Sequence, residues 1–217
     1  MQRPEGEPQE TQTPVVEALT LREKFTDAEK EALIADGALI YTLRGETITA
    51  QRESQAKKGK PAFRDVVEGG DRTLVIPSRQ IEIAIYPAPD KFFVSGSFTR
   101  NVREQEALVA ADAGDLRKRL GKGLGEMIPD EASTFTDITF QHLDATGDWL
   151  FGQRYAEAQG LSRVYGRTKN PTNSSGSSVA NVGAANPDRG LHVGRWPRDY
   201  GDRSVGAVRM VVPIETK

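Results

Sequence analysis

The last quarter of the chain, from Arg163 to Pro213, sets the strongest limit on the fold. This segment is crowded with Gly, Asn, Ser, Arg and Asp, yet it ends on the apolar run 208–213. Gly, Asn, Ser and Pro each disfavour a helix interior, by about 0.5–3 kcal/mol relative to Ala. The composition therefore predicts short strands that carry long loops, and loops on a rigid scaffold are where recognition is usually located.

Turn residues divide this segment into separate strands. Asn, Pro, Ser, Asp and Gly cluster at four places and interrupt the apolar stretches between them. The predicted strands lie at 162–168, 178–182, 191–196 and 205–212. The segment is also basic, because residues 161–217 contain nine Lys and Arg against four Asp and Glu. Such a charge can meet an acidic partner, including nucleic acid.

The earlier part of the chain carries mainly helical patterns. Thr26 and Glu29 have the spacing of a capping box, and Gly37 provides a C-cap. Helices are predicted at 26–36, 46–60, 102–120 and 133–146, and strands at 38–43 and 81–86. Gly114 can divide the third helix into two. Helices first and a small antiparallel sheet last predict an α+β domain.

Length and polarity suggest one domain behind a short tail. Residues 1–20 are polar and lack an apolar run, so we predict a disordered tail rather than a signal peptide or membrane span. The remaining residues, 21–217, are enough for a single domain. No stretch approaches the roughly 18 apolar residues that a membrane-spanning helix needs. The cytoplasm is therefore the expected default location.

The residue types exclude several kinds of chemistry. The chain has no Cys, which excludes disulfides, thiolate metal sites and a cysteine nucleophile. Its two histidines, His142 and His192, are far apart and form no helical metal-binding pair. We expect neither a metal nor another cofactor. His142 could act with Asp144 in catalysis, but a surface or helix-end histidine is the favoured interpretation.

Two further motifs have both a functional and a simpler structural interpretation. The glycine-rich run 121–125 resembles a phosphate loop, but no strand precedes it and no Ser or Thr follows its Lys, so we predict a flexible helix exit. Asp199 with Asp202, or Asp144 with Asp148, can supply the acid and base of a glycosidase. Exposed Asp residues in turns are common, however, and that simpler interpretation is favoured.

The tripeptide Asn186-Pro187-Asp188 resembles the sugar-binding tripeptide of calcium-dependent lectins. The Trp-Asn-Asp element that follows in those lectins is missing, because Trp196 is followed by Pro197. We therefore predict an ordinary β-turn rather than a calcium site.

The most informative cluster lies just after this turn. Trp, Tyr and Arg dominate binding hot spots, because they combine a large apolar face with polar ends. The cluster consists of Trp196, Arg198, Asp199, Tyr200, Asp202 and Arg203. The two Asp residues disfavour a surface that tracks phosphates. The alternative is an ordinary exposed loop in which Trp196 fills the core.

Five segments carry a family resemblance: 140–152, 165–172, 178–183, 190–196 and 211–213. They are similar to a group of uncharacterised bacterial proteins. In layout the chain resembles the variable proteins of diversity-generating retroelements, which use a C-type lectin-like fold with a hypervariable site near the C-terminus. The resemblance implies a fixed frame formed by Leu191, Val193, Trp196 and 208–212. It implies variable positions at His192, Gly194, Arg195, Asp199, Tyr200, Asp202, Arg203 and Ser204.

These observations predict a non-enzymatic binding protein with segment 163–213 as its ligand-display region. Trp196 is expected to anchor the segment, and Asp199 and Asp202 to tune charge and specificity. The contact residues are expected to be Arg195, Arg198, Tyr200 and Arg203. A protein or a glycan is the expected ligand. Two alternatives remain open: a lectin-fold enzyme of unknown substrate, and a nucleic-acid-binding module that uses the C-terminal Arg and aromatic residues.

Overall fold

A computed structural model of the chain describes residues 19–59, 62–66 and 70–216. One antiparallel and one mixed sheet packed with helices confirm the α+β class. The predicted order of helices first and a sheet last is wrong, because four strands lie among the helices that precede the C-terminal sheet. The helices are α1 (Asp27–Ala35), α2 (Ile48–Lys57), α3 (Gly70–Val75), α4 (Val102–Leu120), α5 (Ala132–Thr146) and α6 (Gln153–Ala158). The strands are β1 (Leu39–Thr42), β2 (Phe63–Val66), β3 (Glu82–Ile85), β4 (Leu124–Glu126), β5 (Tyr165–Pro171), β6 (Ser178–Asn186), β7 (Gly190–Pro197), β8 (Val205–Gly206) and β9 (Met210–Pro213).

The predicted N-terminal tail lies largely outside the described residues, which begin at Leu19. The backbone at Thr20 is already joined to the other end of the chain, where Glu215 N donates to Thr20 O at 2.9 Å. In the part of the chain that the structure describes, no helix is long and apolar enough to cross a membrane.

Capping boxes begin helices α1 and α4. At α1 the Thr26 side chain accepts from Glu29 N, and the Glu29 carboxylate accepts from Thr26 N, which confirms the predicted capping box. Asn101 and Glu104 form the same reciprocal pair at α4. This helix continues through Gly114 without a break, so the proposed division into two helices is wrong.

The first sheet joins distant parts of the chain in the antiparallel order β1-β3-β9-β4. The closing strand β9 lies between β3 and β4, with Val211 opposite Ala84 and Val212 opposite Gly125. The predicted strand 205–212 is therefore wrong as one element. Its first residues form β8 in the other sheet, while its last residues belong to β9. The run 121–125, predicted as a flexible helix exit, instead leads into the buried strand β4.

The second sheet has the order β2-β7-β6-β5-β8. Its three central strands are antiparallel, but β2 pairs parallel with β7 and β8 pairs parallel with β5. The predicted C-terminal antiparallel sheet is correct for β5, β6 and β7 only. The two edge strands come from other parts of the sequence: β2 lies far before β7, and β8 follows β7 after an intervening loop. The parallel pairing of β8 with β5 positions the display region.

The main core covers one face of this second sheet. Leu191 and Val193 of β7 pack into it, together with Phe135 of α5 and Phe151. Gly166 of β5 faces the same core, and a Cβ atom there would lie 2.9 Å from atoms of Phe135 and Phe151. Because one face is filled in this way, the side chains that alternate with these residues point to the opposite, outer face of the sheet.

Candidate functional site

Trp196 belongs to the outer face of β7. Along this strand Leu191 and Val193 point into the core, so His192, Gly194 and Trp196 point outward. The prediction that grouped Trp196 with Leu191 and Val193 in one apolar frame is therefore wrong. A period of two places Trp196 on the other side of the sheet from those residues. It is half-buried there, and its indole Nε1 has no hydrogen-bond partner in the described structure.

Three outward residues form a row across the middle of the sheet. Arg167 of β5 lies opposite Asn181 of β6, which lies opposite Gly194 of β7. We call Arg167, Asn181 and Gly194 the outer row, and all three are buried. A Cβ built on Gly194 would collide with the Asn181 side-chain oxygen. The structure thus separates Gly194 from the exposed residues with which the resemblance groups it.

Arg167 is fully buried and supports the loop above it. Its Nη2 donates to the carbonyl oxygens of Tyr200 and Arg100, each at 3.2 Å. Burial lowers the pKa of Arg167 to about 10, an effect that the charge of Asp202 opposes. The guanidinium therefore remains charged at neutral pH. Its remaining nitrogens, Nε and Nη1, have no partner among the described residues.

The segment 198–204, which we call the display loop, is held by backbone hydrogen bonds at both ends. At its start, Arg198 N donates to Ser177 O at 2.8 Å, and Val102 N donates to Arg198 O at 3.1 Å. At its end, Tyr165 N donates to Ser204 O at 2.8 Å. These bonds fasten the loop to the N-terminus of α4 and to two parts of the second sheet.

The middle of the display loop lies directly on the backbone before α4. Thr99 N donates to Asp202 O at 2.9 Å. A Cβ built on Gly201 would collide with Thr99 O and approach Arg100 N to 2.9 Å. Glycine is therefore required at position 201 for this close approach. Together with the Arg167 contacts, this packing fixes the path of the loop.

The exposed side chains of this region are unpaired, unlike its backbone. Tyr200 is 68% exposed, the largest exposure among the large apolar side chains of the described residues. No hydrogen bond or ion pair joins its side chain, or those of three other exposed residues, to any described residue. We call these four residues the display set: Arg195, Asp199, Tyr200 and Arg203. Arg195 lies opposite Ala180, in the phase of Leu191 and Val193, so it projects at the end of β7 from the other face of the sheet than Arg167.

Four other predicted site residues are more constrained. Arg198 is half-buried. The Oδ1 atom of Asp202 accepts from Ser204 N at 2.7 Å and from Ser204 Oγ at 2.5 Å. These two residues therefore orient one another. His192 is half-buried, and its Nδ1 lies 3.3 Å from the Tyr165 hydroxyl. Burial lowers the pKa of His192, which favours the neutral imidazole at pH 7.

A polar cleft adjoins the display loop. Its volume is about 270 Å³. The residues that line it come from two segments, Gly160–Arg163 after α6 and Asp202–Ser204 at the end of the loop. Three predicted site residues, Asp202, Arg203 and Ser204, thus lie on one wall of a preformed concave surface.

The remaining candidate residues lie outside this region. His142 is buried rather than on the surface, and its Nδ1 lies 2.7 Å from the Tyr41 hydroxyl. It occupies the apolar side of α5, where burial lowers its pKa. The paired-carboxylate hypothesis gains no support from Asp144 and Asp148, because Asp144 pairs with Lys58 at 2.5 Å and Asp148 has an arginine partner.

Asn186-Pro187-Asp188 forms the turn between β6 and β7, as predicted. Arg189 N donates to Asn186 O at 3.2 Å, and Asp188 N donates to the Asn186 side chain at 2.8 Å. The Asn186 side-chain oxygen is thus engaged by the turn itself. Among the residues that the structure describes, no group of three or more His, Asp or Glu side chains is placed to hold a metal ion.

Sequence reasoning missed the residues that support and flank the display loop. Arg167 and Asn181 alternate with the core-facing residues of β5 and β6, as Tyr165 and Gly183 do. This alternation in the sequence could have predicted that both point to the outer face. The wall 160–163 had no such signal. It reaches Asp202 only because β5 and β8 pair in parallel.

The chain was compared with protein-family models, with curated proteins and with solved structures, and none of the three comparisons found a match. The resemblance to retroelement variable proteins therefore stays a prediction.

Proposed function

We propose that the protein is a non-enzymatic binding protein that recognises a protein or glycan ligand through the display set and the adjoining cleft. The observation that supports this proposal is the contrast within residues 195–204. Their backbone is held by hydrogen bonds to α4 and the second sheet, whereas the side chains of the display set form no hydrogen bond or ion pair with any described residue.

A fixed backbone with free side chains favours tight binding. A preformed loop loses little backbone entropy when a ligand binds, so more of the contact energy appears as affinity. Tyr200 offers a large exposed ring and Arg203 a planar donor on the display loop, and Arg195 offers a second planar donor near the end of β7. Tyr and Arg are the residue types enriched in binding hot spots. Arg167 then has a positioning role beneath the loop.

The arrangement also fits a surface whose side chains change while its scaffold stays constant. Exposed residues without partners tolerate substitution, typically within about 0.5 kcal/mol. We therefore propose that the C-type lectin-like fold and retroelement-type variability implied by segments 140–213 apply to this chain. The display set supplies the positions most free to vary, and the buried outer row supplies part of the scaffold.

The mixed charge of the loop favours a protein or glycan over nucleic acid. Asp199 and Asp202 lie within a few residues of Arg198 and Arg203. Carboxylates beside arginines repel a phosphate backbone, but they select among polar surfaces and sugar hydroxyls. An enzymatic function lacks a comparable supporting observation, because neither histidine has a carboxylate hydrogen-bond partner among the described residues.

The experiment compares the wild-type protein with the triple variant Arg195→Ala, Tyr200→Ala, Arg203→Ala on panels of immobilised glycans and proteins. We expect the variant to lose at least about 100-fold in affinity for any member bound by the wild type, because each truncation removes a hot-spot type of residue. Its unfolding transition should remain close to that of the wild type. A matched control replaces three exposed residues elsewhere, Ile34, Arg52 and Arg189, with Ala.

Two results would count against the proposal. One is wild-type protein that binds no member of either panel. The other is a triple variant that binds as tightly as the control. A ligand whose affinity falls steeply with added salt would instead indicate the nucleic-acid alternative, which DNA and RNA oligonucleotides on the same panels would reveal directly.

A further inference from the structure

The cleft beside the display loop owes its shape to the parallel pairing of β5 and β8. Tyr165 lies opposite Val205, so the residues that immediately precede these two strands lie side by side. The hydrogen bond from Tyr165 N to Ser204 O, at 2.8 Å, closes the base of this arrangement. The two walls are 160–163 and 202–204, and they enclose about 270 Å³.

The lining of this cleft is strongly polar and contains both signs of charge. Arg163 lies on one wall, with its guanidinium beside the Tyr165 hydroxyl, and Arg203 lies on the other wall. Between them, Asp202 is oriented by Ser204 through Oδ1 alone, and its Oδ2 accepts no hydrogen bond from a described residue. Leu161 is the only large apolar side chain among the residues that line the cleft.

We propose that this cleft holds a single sugar residue that carries a carboxylate, such as a uronic or sialic acid. The inference rests on the proposed function, since it assigns a ligand class to one part of the same surface. Guanidinium groups bind carboxylates through charge-assisted, often bidentate hydrogen bonds. The Oδ2 atom of Asp202 is a matching acceptor for sugar hydroxyl groups, and Ser162 supplies a further hydroxyl.

Size and polarity separate this ligand from other anions. Ligand pockets usually enclose about 300–1,000 Å³, so this cleft suits one sugar residue rather than a nucleotide or a long oligosaccharide. No aromatic side chain lines it to stack on a base or an aromatic ligand. Asp202 repels a phosphate dianion more strongly than a single carboxylate, while it can accept hydrogen bonds from the several hydroxyl groups of a sugar. A carboxylate next to several hydroxyls satisfies every charged group in the cleft.

The test titrates the full-length protein with three probes and follows binding by NMR chemical-shift changes. The probes are methyl glucuronide, the neutral but otherwise matched methyl glucoside, and inorganic phosphate. We expect methyl glucuronide to bind at least about tenfold more tightly than methyl glucoside, because a charge-assisted pair is lost in the latter. The variant Arg163→Gln, Arg203→Gln should lose at least about tenfold in glucuronide affinity. Arg189→Gln, which changes an exposed arginine in the β6–β7 turn, should bind like the wild type.

A single substitution separates a sugar site from a simple anion site. Asp202→Asn keeps an oxygen that accepts from Ser204 but removes the negative charge. We expect it to weaken glucuronide binding and to strengthen phosphate binding. Phosphate that binds wild-type protein as tightly as glucuronide would overturn the proposal, and so would equal affinities for glucuronide and glucoside.

Failure of the acidic-sugar proposal can be distinguished from failure of the proposed function. Tyr200 and Arg195 do not line the cleft, so a panel ligand can depend on them without any acidic sugar being bound. If the triple variant abolishes binding to a panel member while methyl glucuronide fails to bind wild-type protein, the acidic-sugar proposal is overturned and the proposed function stands.

Discussion

Glu126 provides a quantitative test of the packing beneath α4. This residue of β4 is 4% exposed, and neither of its carboxyl oxygens has a hydrogen-bond partner among the described residues. Burial, reinforced by the nearby Asp112 carboxylate, raises the pKa of Glu126 from 4.5 to about 9. Arg209 opposes the shift only weakly, because it lies 3.8 Å from Glu126 but forms its close ion pair, at 2.7 Å, with Asp112.

The raised pKa makes stability depend on pH in a defined direction. The native state keeps a proton on Glu126 that the unfolded state releases above pH 4.5. The part of the stability that depends on a protonated Glu126 is therefore fully present below pH 4.5 and is lost progressively as the pH rises towards 9. The loss amounts to about 1.4 kcal/mol per pH unit, or about 3 kcal/mol at pH 7. Glu126→Gln keeps the neutral shape and removes this penalty.

The assay is urea-induced unfolding of wild type and Glu126→Gln at several pH values between 5 and 8. We expect the variant to be more stable, with a free-energy difference that widens by about 1.4 kcal/mol for each pH unit. Glu53→Gln on the exposed face of α2 serves as the control and should give a constant difference. The reasoning would be refuted if the difference in unfolding free energy between Glu126→Gln and the wild type stayed constant from pH 5 to pH 8, or if the variant were less stable than the wild type at pH 8.

Three further predictions concern the helix cap and the support of the display loop. Arg167→Met should raise hydrogen exchange at the amides of Thr99 and Val205, because both donate to the Asp202 carbonyl, two residues after the Tyr200 carbonyl that Arg167 holds; unchanged exchange would exclude the positioning role. Gly201→Ala should weaken ligand binding by displacing the loop, with thermal unfolding changed by only a few degrees; binding equal to wild type would show that the close approach is not needed. Thr26→Ala should destabilise the protein by about 1 kcal/mol in urea unfolding, and a neutral result would contradict the observed cap.

The sequence predicted those elements whose residues carry their own signals. The capping box at Thr26, the long amphipathic helix α4 and the turn at 186–188 all depend on neighbours within a few positions. Strands β2 and β4 were missed because their four and three residues are too short for a recognisable alternation. Their positions are set by pairing with β7 and β9, which lie far away along the chain.

The candidate site was predicted in its exposed part and missed in its buried part. Tyr200, Arg195 and Arg203 belong to residue types that bind ligands, and composition alone indicated them. The support from Arg167 depends on which face of β5 it occupies and on how the loop returns over that face. Composition contains no information about either, so the grouping of Trp196 with the core residues of β7 was also wrong.

The central claim is that a fixed backbone displays exchangeable side chains, and a pair of combinatorial libraries tests it most directly. One library varies the display set, and the other varies the outer row. We expect random members of the first library to unfold cooperatively like the wild type and to yield binders to an unrelated immobilised protein. Random members of the second library should largely lose cooperative unfolding. First-library members that fail to fold as often as second-library members, or that fold but yield no binders, would contradict the account.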